Sequence, residues 1–171
     1  MDKSLYYRAR NYNGGVYYLL DNGTVEWREQ GSTEWQTNNT VKMPHNEFAI
    51  LNGAVGTTKN GVAIFPNEKA SHIAFKDYFN AECHKELTVT DFITQYKKSQ
   101  TFDNHTDASI HQFLDKLARH TGIDVNKKKA NELTMNEKSN LFEFVYSQAD
   151  IRKGKVYESD GIDGSKKLPA G

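Results

Sequence analysis

The chain has 171 residues, enough to bury a core without disulfides or metals. Its 22 Lys and Arg balance 22 Asp and Glu, which argues against a nucleic-acid or anionic-membrane binder that works by bulk charge. One cysteine, Cys83, excludes an internal disulfide, and no apolar run approaches the roughly 20 residues that a membrane span needs.

The opening MDKSLYYRARNYNGG lacks the apolar segment of a cleavable signal, so synthesis in the cytoplasm is expected. From Gly14 the chain reads as β-rich. Val16, Tyr18 and Leu20 alternate with Tyr17 and Leu19, and Val25, Trp27 and Glu29 continue the alternation beyond Asp21-Asn22-Gly23-Thr24. Asn-Gly accepts positive φ at low cost, which predicts a hairpin. STEWQT echoes TVEWRE and predicts a third strand, and GVAIF ends as a short apolar run at Pro66.

Helical periodicity begins at Asn67, an N-cap, with Ala70, Ile73, Ala74, Phe75, Tyr78 and Phe79 on one broad face. A second helix starts at Thr88 and buries Phe92, Ile93 and Tyr96. A third runs from about Asp107 with Ile110, Phe113, Leu114, Leu117 and Ala118, stopping near Gly122. A fourth opens with the capping box Thr134-x-x-Glu137 and carries Leu141, Phe144, Val145 and Ile151. The expected fold class is α+β: a small N-terminal antiparallel β-sheet or hairpin packed on a body of about four helices. One domain is expected over 1–155, β-rich over 1–66 and helical over 67–153, with a flexible tail over 156–171.

Few residues carry a chemical signal by spacing alone. Cys83 and His84 are neighbours on a helix end and point apart, so they predict no nucleophile pair. The six histidines show no metal-ligand spacing, and no Gly-rich phosphate loop occurs; neither metal nor cofactor is expected. Glu26, Glu29, Glu34, Glu47 and Glu68 fall in or beside the aromatic first half. Cleavage of a glycosidic bond needs an acid against an apolar wall, and Glu34 beside Trp35 and Glu47 beside Phe48 meet that local condition. A solvated surface glutamate meets it equally well. Asn38 and Asn39 suit sugar hydroxyls and N-acetyl groups, but their local chemistry suits a tied-down turn better.

Residues 34–80 resemble a family of phage virion and secretion-associated proteins. Its pattern runs W-R-x-N-N-P-G-N, an F-A step, G-A-[IV]-G and G-F-A-[IV]-F-P, followed by acidic residues and a helix. The matching residues are Trp35, Asn38, Asn39, Phe48-Ala49, Gly53-Ala54-Val55-Gly56, Gly61-Val62-Ala63-Ile64-Phe65-Pro66 and Glu68. These proteins look lysozyme-like, and the resemblance implies an antibacterial peptidoglycan hydrolase of muramidase or lytic transglycosylase type. On that basis Glu47 or Glu68 is the catalytic acid. Trp35, Asn38, Asn39 and Phe48 would form a wall for N-acetyl sugars, which Tyr17, Tyr18 and Trp27 extend.

The implied partners are peptidoglycan glycan strands, a cognate immunity protein and a secretion or virion carrier, with no nucleic acid and no membrane span. The implied place of action is the periplasm or cell wall, reached by a secretion system or virion. The chain departs from the pattern at Gln36 and at Thr40-Val41-Lys42, where Pro-Gly-Asn is expected. That departure favours a rival reading, a non-catalytic virion, secretion-apparatus or peptidoglycan-binding protein. LYYRARNYN also resembles the box that precedes the toxin domains of Rhs, or YD-repeat, proteins. A toxin domain with an intracellular target is therefore a third reading.

Overall fold

The structure, a computed structural model, describes residues 6–12 and 14–159. They form a small antiparallel sheet and a set of helices, an α+β fold. Two compact units divide the chain. One holds the residues up to Ala74 and from Asp150 onward, and the other, Phe75–Ala149, is inserted between them in sequence.

The first unit opens with strands β1 (Tyr6–Tyr12), β2 (Gly15–Leu20) and β3 (Val25–Glu29). The expected hairpin joins β2 to β3. Leu20 N–H donates to the Thr24 carbonyl at 2.9 Å, and Asn22 Oδ1 accepts from Thr24 N–H at 2.9 Å. The STEWQT segment is a helix, not a third strand: α1 spans Thr33–Thr37. Ser32 caps it by accepting from Trp35 N–H, and Asn38 ends it at φ 54. A cap at each end outweighs the β propensity of a Thr-Trp-Thr pattern.

Next come α2 (Glu47–Leu51), capped by Asn46, and a two-stranded ribbon of β4 (Gly56–Thr57) and β5 (Ala63–Ile64). Asn67 Oδ1 then accepts from Ala70 N–H at 2.9 Å and starts α3 (Glu68–Glu82). Ile73, expected on its buried face, is 40% exposed.

The sheet is completed by a strand that sequence periodicity does not reveal. Lys155–Ser159 forms β6, antiparallel to β3, and the order is β1-β2-β3-β6. A flexible tail is expected from 156, so 156–159 are a correction; residues 160–171 lie outside the described residues. Pairing with β3, a long-range event, orders this segment. Glu34 Oε2 accepts from Asp150 N–H at 2.9 Å, and Ser32 N–H donates to the Arg152 carbonyl at 2.8 Å while its Oγ accepts from Arg152 N–H. At Gly154 the backbones meet so closely that a Cβ would sit 2.1 Å from the Glu29 carbonyl oxygen. Only glycine fits there.

One face of the sheet is the core of this unit, with Val16, Tyr18 and Leu20 packed on Ile64, Ala9 and Val55. Arg28 lies on the same face, paired with Val16 across the strands. Its Nε donates to Glu26 Oε2 at 2.7 Å, and one terminal nitrogen donates to the Trp35 carbonyl and to Asn38 Oδ1. The guanidinium also stands 5.0 Å from the Tyr18 ring centre and 5.4 Å from that of Trp35.

The second unit contains the rest of α3 with α4 (Val89–Ser99), α5 (Asp107–Thr121) and α6 (Met135–Ser147). The expected caps are present: Thr88 on α4, Gly122 at φ 75 after α5, and the Thr134–Glu137 box on α6. Its core is aromatic. Phe75 meets Phe92, Tyr96, Phe142 and Tyr146 edge-on, and Phe79 does the same with Phe92 and Phe142. Burial pushes the Tyr96 and Tyr146 hydroxyls well above their ordinary range. Ile151, expected in the fourth helix, lies beyond its end and is 40% exposed.

Arg28→Met is expected to cost about 1–3 kcal/mol, because it takes the ion pair from the part-buried Glu26 and a hydrogen bond each from the Trp35 carbonyl and Asn38 Oδ1. Adding Glu26→Gln should recover part of that loss, read from denaturant midpoints of the single and double variants. Lys42 holds φ 48, a left-handed conformation that asparagine tolerates better than lysine. Lys42→Asn should therefore gain about 0.5–1 kcal/mol in the same measurement.

Candidate functional site

The residues that the sequence assigns to a sugar-binding wall are mostly structural. Trp35, Asn38, Asn39 and Tyr18 are all buried. Asn39 Nδ2 donates to the carbonyls of Met43 and Ala63, at 3.0 and 2.9 Å, while its Oδ1 accepts from Met43 N–H at 2.8 Å. Asn38 Nδ2 donates to the Phe65 carbonyl, and its Oδ1 takes the Arg28 hydrogen bond. Tyr18 donates its hydroxyl to the Gln36 carbonyl. The paired amides thus tie α1 and the loop after it to the apolar run ending at Phe65. That satisfies buried backbone groups which would otherwise stand unpaired.

Neither expected acid lines the groove beside β1 or the cavity of the helical unit. Glu47 is the first residue of α2 and Glu68 the first of α3, and both side chains are exposed. Phe48 is half-buried on α2. An acid in open water lacks the apolar enclosure that general acid catalysis of glycoside cleavage uses.

Trp27 is different. It lies on the opposite face of the sheet from Arg28, where register places Arg10 across from Tyr17, Tyr17 across from Trp27, and Trp27 across from Tyr157. These four side chains form one row across β1, β2, β3 and β6. Arg10 Nε donates to the Tyr17 hydroxyl at 2.6 Å, and its guanidinium stands 5.1 Å from the ring centre. Trp27 and Tyr157 stack with ring centres 5.4 Å apart and planes inclined by 30°. The row has room because Gly15 lies beneath the indole: a Cβ there would be 2.7 Å from Trp27 Nε1.

Tyr157 is 46% exposed, and its hydroxyl hydrogen-bonds Glu29, whose nearby charge adds to that bond in holding the phenol above its ordinary pKa. Glu29 is half-buried and two residues from Trp27, so this face carries a carboxylate beside its aromatic rings.

At the β1 end of the row is a groove of 490 Å³, lined by Arg8, Arg10, Tyr17 and Leu19 and walled by Gly56 and Thr57. A smaller cavity, 310 Å³, lies within the helical unit beside His120, Asn140, Glu143 and Phe144. Cys83 is half-buried in a short 3-10 turn after α3, donating to the Asn80 carbonyl. Among the described residues no group of three or more His, Cys, Asp or Glu side chains is placed to hold a metal ion. No helix among them is long and apolar enough to cross a membrane.

No protein-family model, no curated protein and no solved structure matches the chain.

Of the row, Tyr17 and Trp27 are visible in the alternating pattern of the hairpin. Arg10 and Tyr157 are visible only once β1 and β6 are paired. Asn39→Ala should cost about 2–4 kcal/mol, since Met43 N–H and the Ala63 carbonyl lose a buried hydrogen bond while the Met43 carbonyl keeps only that from Ala63 N–H. Trp27→Ala, on the opposite face, should cost less; denaturant midpoints of the two variants check the ranking.

Proposed function

We propose that the chain is a peptidoglycan-directed protein of the phage and secretion-effector kind, and that it grips glycan strands on the outer face of its sheet. The observation that supports this reading is the row Arg10, Tyr17, Trp27 and Tyr157, in register across the four strands. The partly exposed rings of Tyr17, Trp27 and Tyr157 suit the apolar faces of sugar rings, and the polar ends of Arg10 and the two tyrosines suit their hydroxyl edges, while the indole N–H of Trp27 is buried against Gly15. The motif resemblance over residues 34–80 supplies the class of glycan. On this reading the protein works in the cell wall or periplasm after carriage by a virion or secretion machine, and a cognate immunity protein would guard the producing cell.

Binding without cleavage is the better-supported form of the proposal. Glu47 and Glu68 are exposed on helices outside the sheet, and the Trp35–Asn39 segment is filled by its own hydrogen bonds. One observation favours cleavage as a second reading. Glu29 lies on the aromatic face, where an acid of a muramidase or lytic transglycosylase would stand. A single carboxylate is enough when an N-acetyl group or water completes the displacement.

Sedimentation with insoluble peptidoglycan separates these readings. The wild-type chain should co-sediment, Trp27→Ala and Tyr157→Ala should lose most of that binding, and Glu47→Gln and Glu68→Gln should retain it. Absence of binding by the wild type would refute the proposal. Mass spectrometry of the supernatant then decides on catalysis: reducing-end or anhydro-sugar products that vanish in Glu29→Gln, Glu47→Gln or Glu68→Gln would establish cleavage and name the acid.

A further inference from the structure

We infer that the groove at the β1 end of the aromatic face is a carboxylate subsite, so that the protein selects acidic sugars over neutral ones. The inference rests on the glycan-binding reading and refines it. Arg8 and Arg10 are two residues apart on β1 and therefore project from the same face, roughly 7 Å apart along the strand. Their partners across the ladder are Leu19 and Tyr17. None of the described residues that line the groove is acidic.

Like charges so placed repel each other, and an anion between them relieves that repulsion. Among the described residues Arg10 spends only its Nε, on the Tyr17 hydroxyl, and that bond holds its guanidinium 5.1 Å from the ring centre. Its terminal nitrogens remain available to a ligand. Arg8 is exposed and makes no hydrogen bond or ion pair among the described residues.

Two guanidinium groups presented along one strand suit a carboxylate, which they bind through paired N–H donors. Tyr17 and Leu19 supply the apolar floor on which a pyranose ring can lie. At 490 Å³ the space is that of a small-molecule site and not a flat surface. The ligand class is a carboxylate-bearing pyranose, such as a sugar that carries a lactyl ether.

Isothermal titration of the whole chain with N-acetylmuramic acid, N-acetylglucosamine, chitotetraose and sodium lactate tests this. N-acetylmuramic acid should bind about tenfold or more tighter than N-acetylglucosamine, the gain expected of a charge-assisted contact. That advantage should shrink in high salt and fall severalfold in Arg8→Gln, a residue that lines the groove but lies outside the aromatic row, while chitotetraose still binds that variant. Chitotetraose binding with no preference for the acid sugar would overturn the subsite and leave the glycan-binding reading standing. The same holds if the preference survives undiminished in Arg8→Gln, or if lactate binds as tightly as the acid sugar. Binding of none of the sugars overturns both.

Discussion

The sheet-bearing unit depends on one part-buried guanidinium. Arg28 emerges from β3 into the side of the sheet that also holds Val16, Tyr18 and Leu20, and a charge in that position must find partners or destabilise the fold. It finds them in Glu26 on its own strand, in the Trp35 carbonyl at the end of α1 and in the Asn38 amide that terminates α1. Two aromatic faces, Tyr18 and Trp35, complete its surroundings. The geometry of α1 is therefore set partly by the demands of a residue on β3. Asn38 adopts φ 54 because its side chain bridges Arg28 and the Phe65 carbonyl at once.

The same neighbourhood fastens the returning chain. Residues 75–149 form their own unit, and the chain re-enters the first at Asp150. Glu34, on α1, accepts the Asp150 amide, and Ser32 exchanges hydrogen bonds with Arg152. Beyond these contacts Gly154 permits the close approach that brings β6 alongside β3. A short helix of five residues thus caps itself, holds the arginine and anchors the last strand. That concentration of duties accounts for the density of Asn, Trp and Ser between 32 and 39.

The division of labour between the two faces of the sheet follows from strand alternation. Tyr18 and Tyr17 are adjacent in sequence and similar in chemistry, yet one is sealed in the core and the other lies on the opposite face beside Arg10. Likewise Glu26 is consumed by Arg28, whereas Glu29 stands beside Tyr157 on the open side. The aromatic residues of the helical unit contrast with both, since Phe75, Phe79, Phe92 and Phe142 spend their rings on one another.

The sequence by itself determined the local features whose physics is complete within a few residues. The Asn22-Gly23 hairpin, the Asn67, Thr88 and Thr134 caps, the glycine stop at 122 and the buried faces of α4, α5 and α6 are all of this kind. It also indicated that Asn38 and Asn39 suit a tied turn. Tertiary structure decided the rest. The Ser32 and Asn38 caps made STEWQT a helix, β3 made a strand of residues without periodicity, and long-range partners turned Trp35, Asn38, Asn39 and Tyr18 inward. The full aromatic row was illegible in sequence for the same reason. Arg10, Tyr17, Trp27 and Tyr157 become neighbours only through strand register, and a cross-strand pair leaves no spacing signal along the chain.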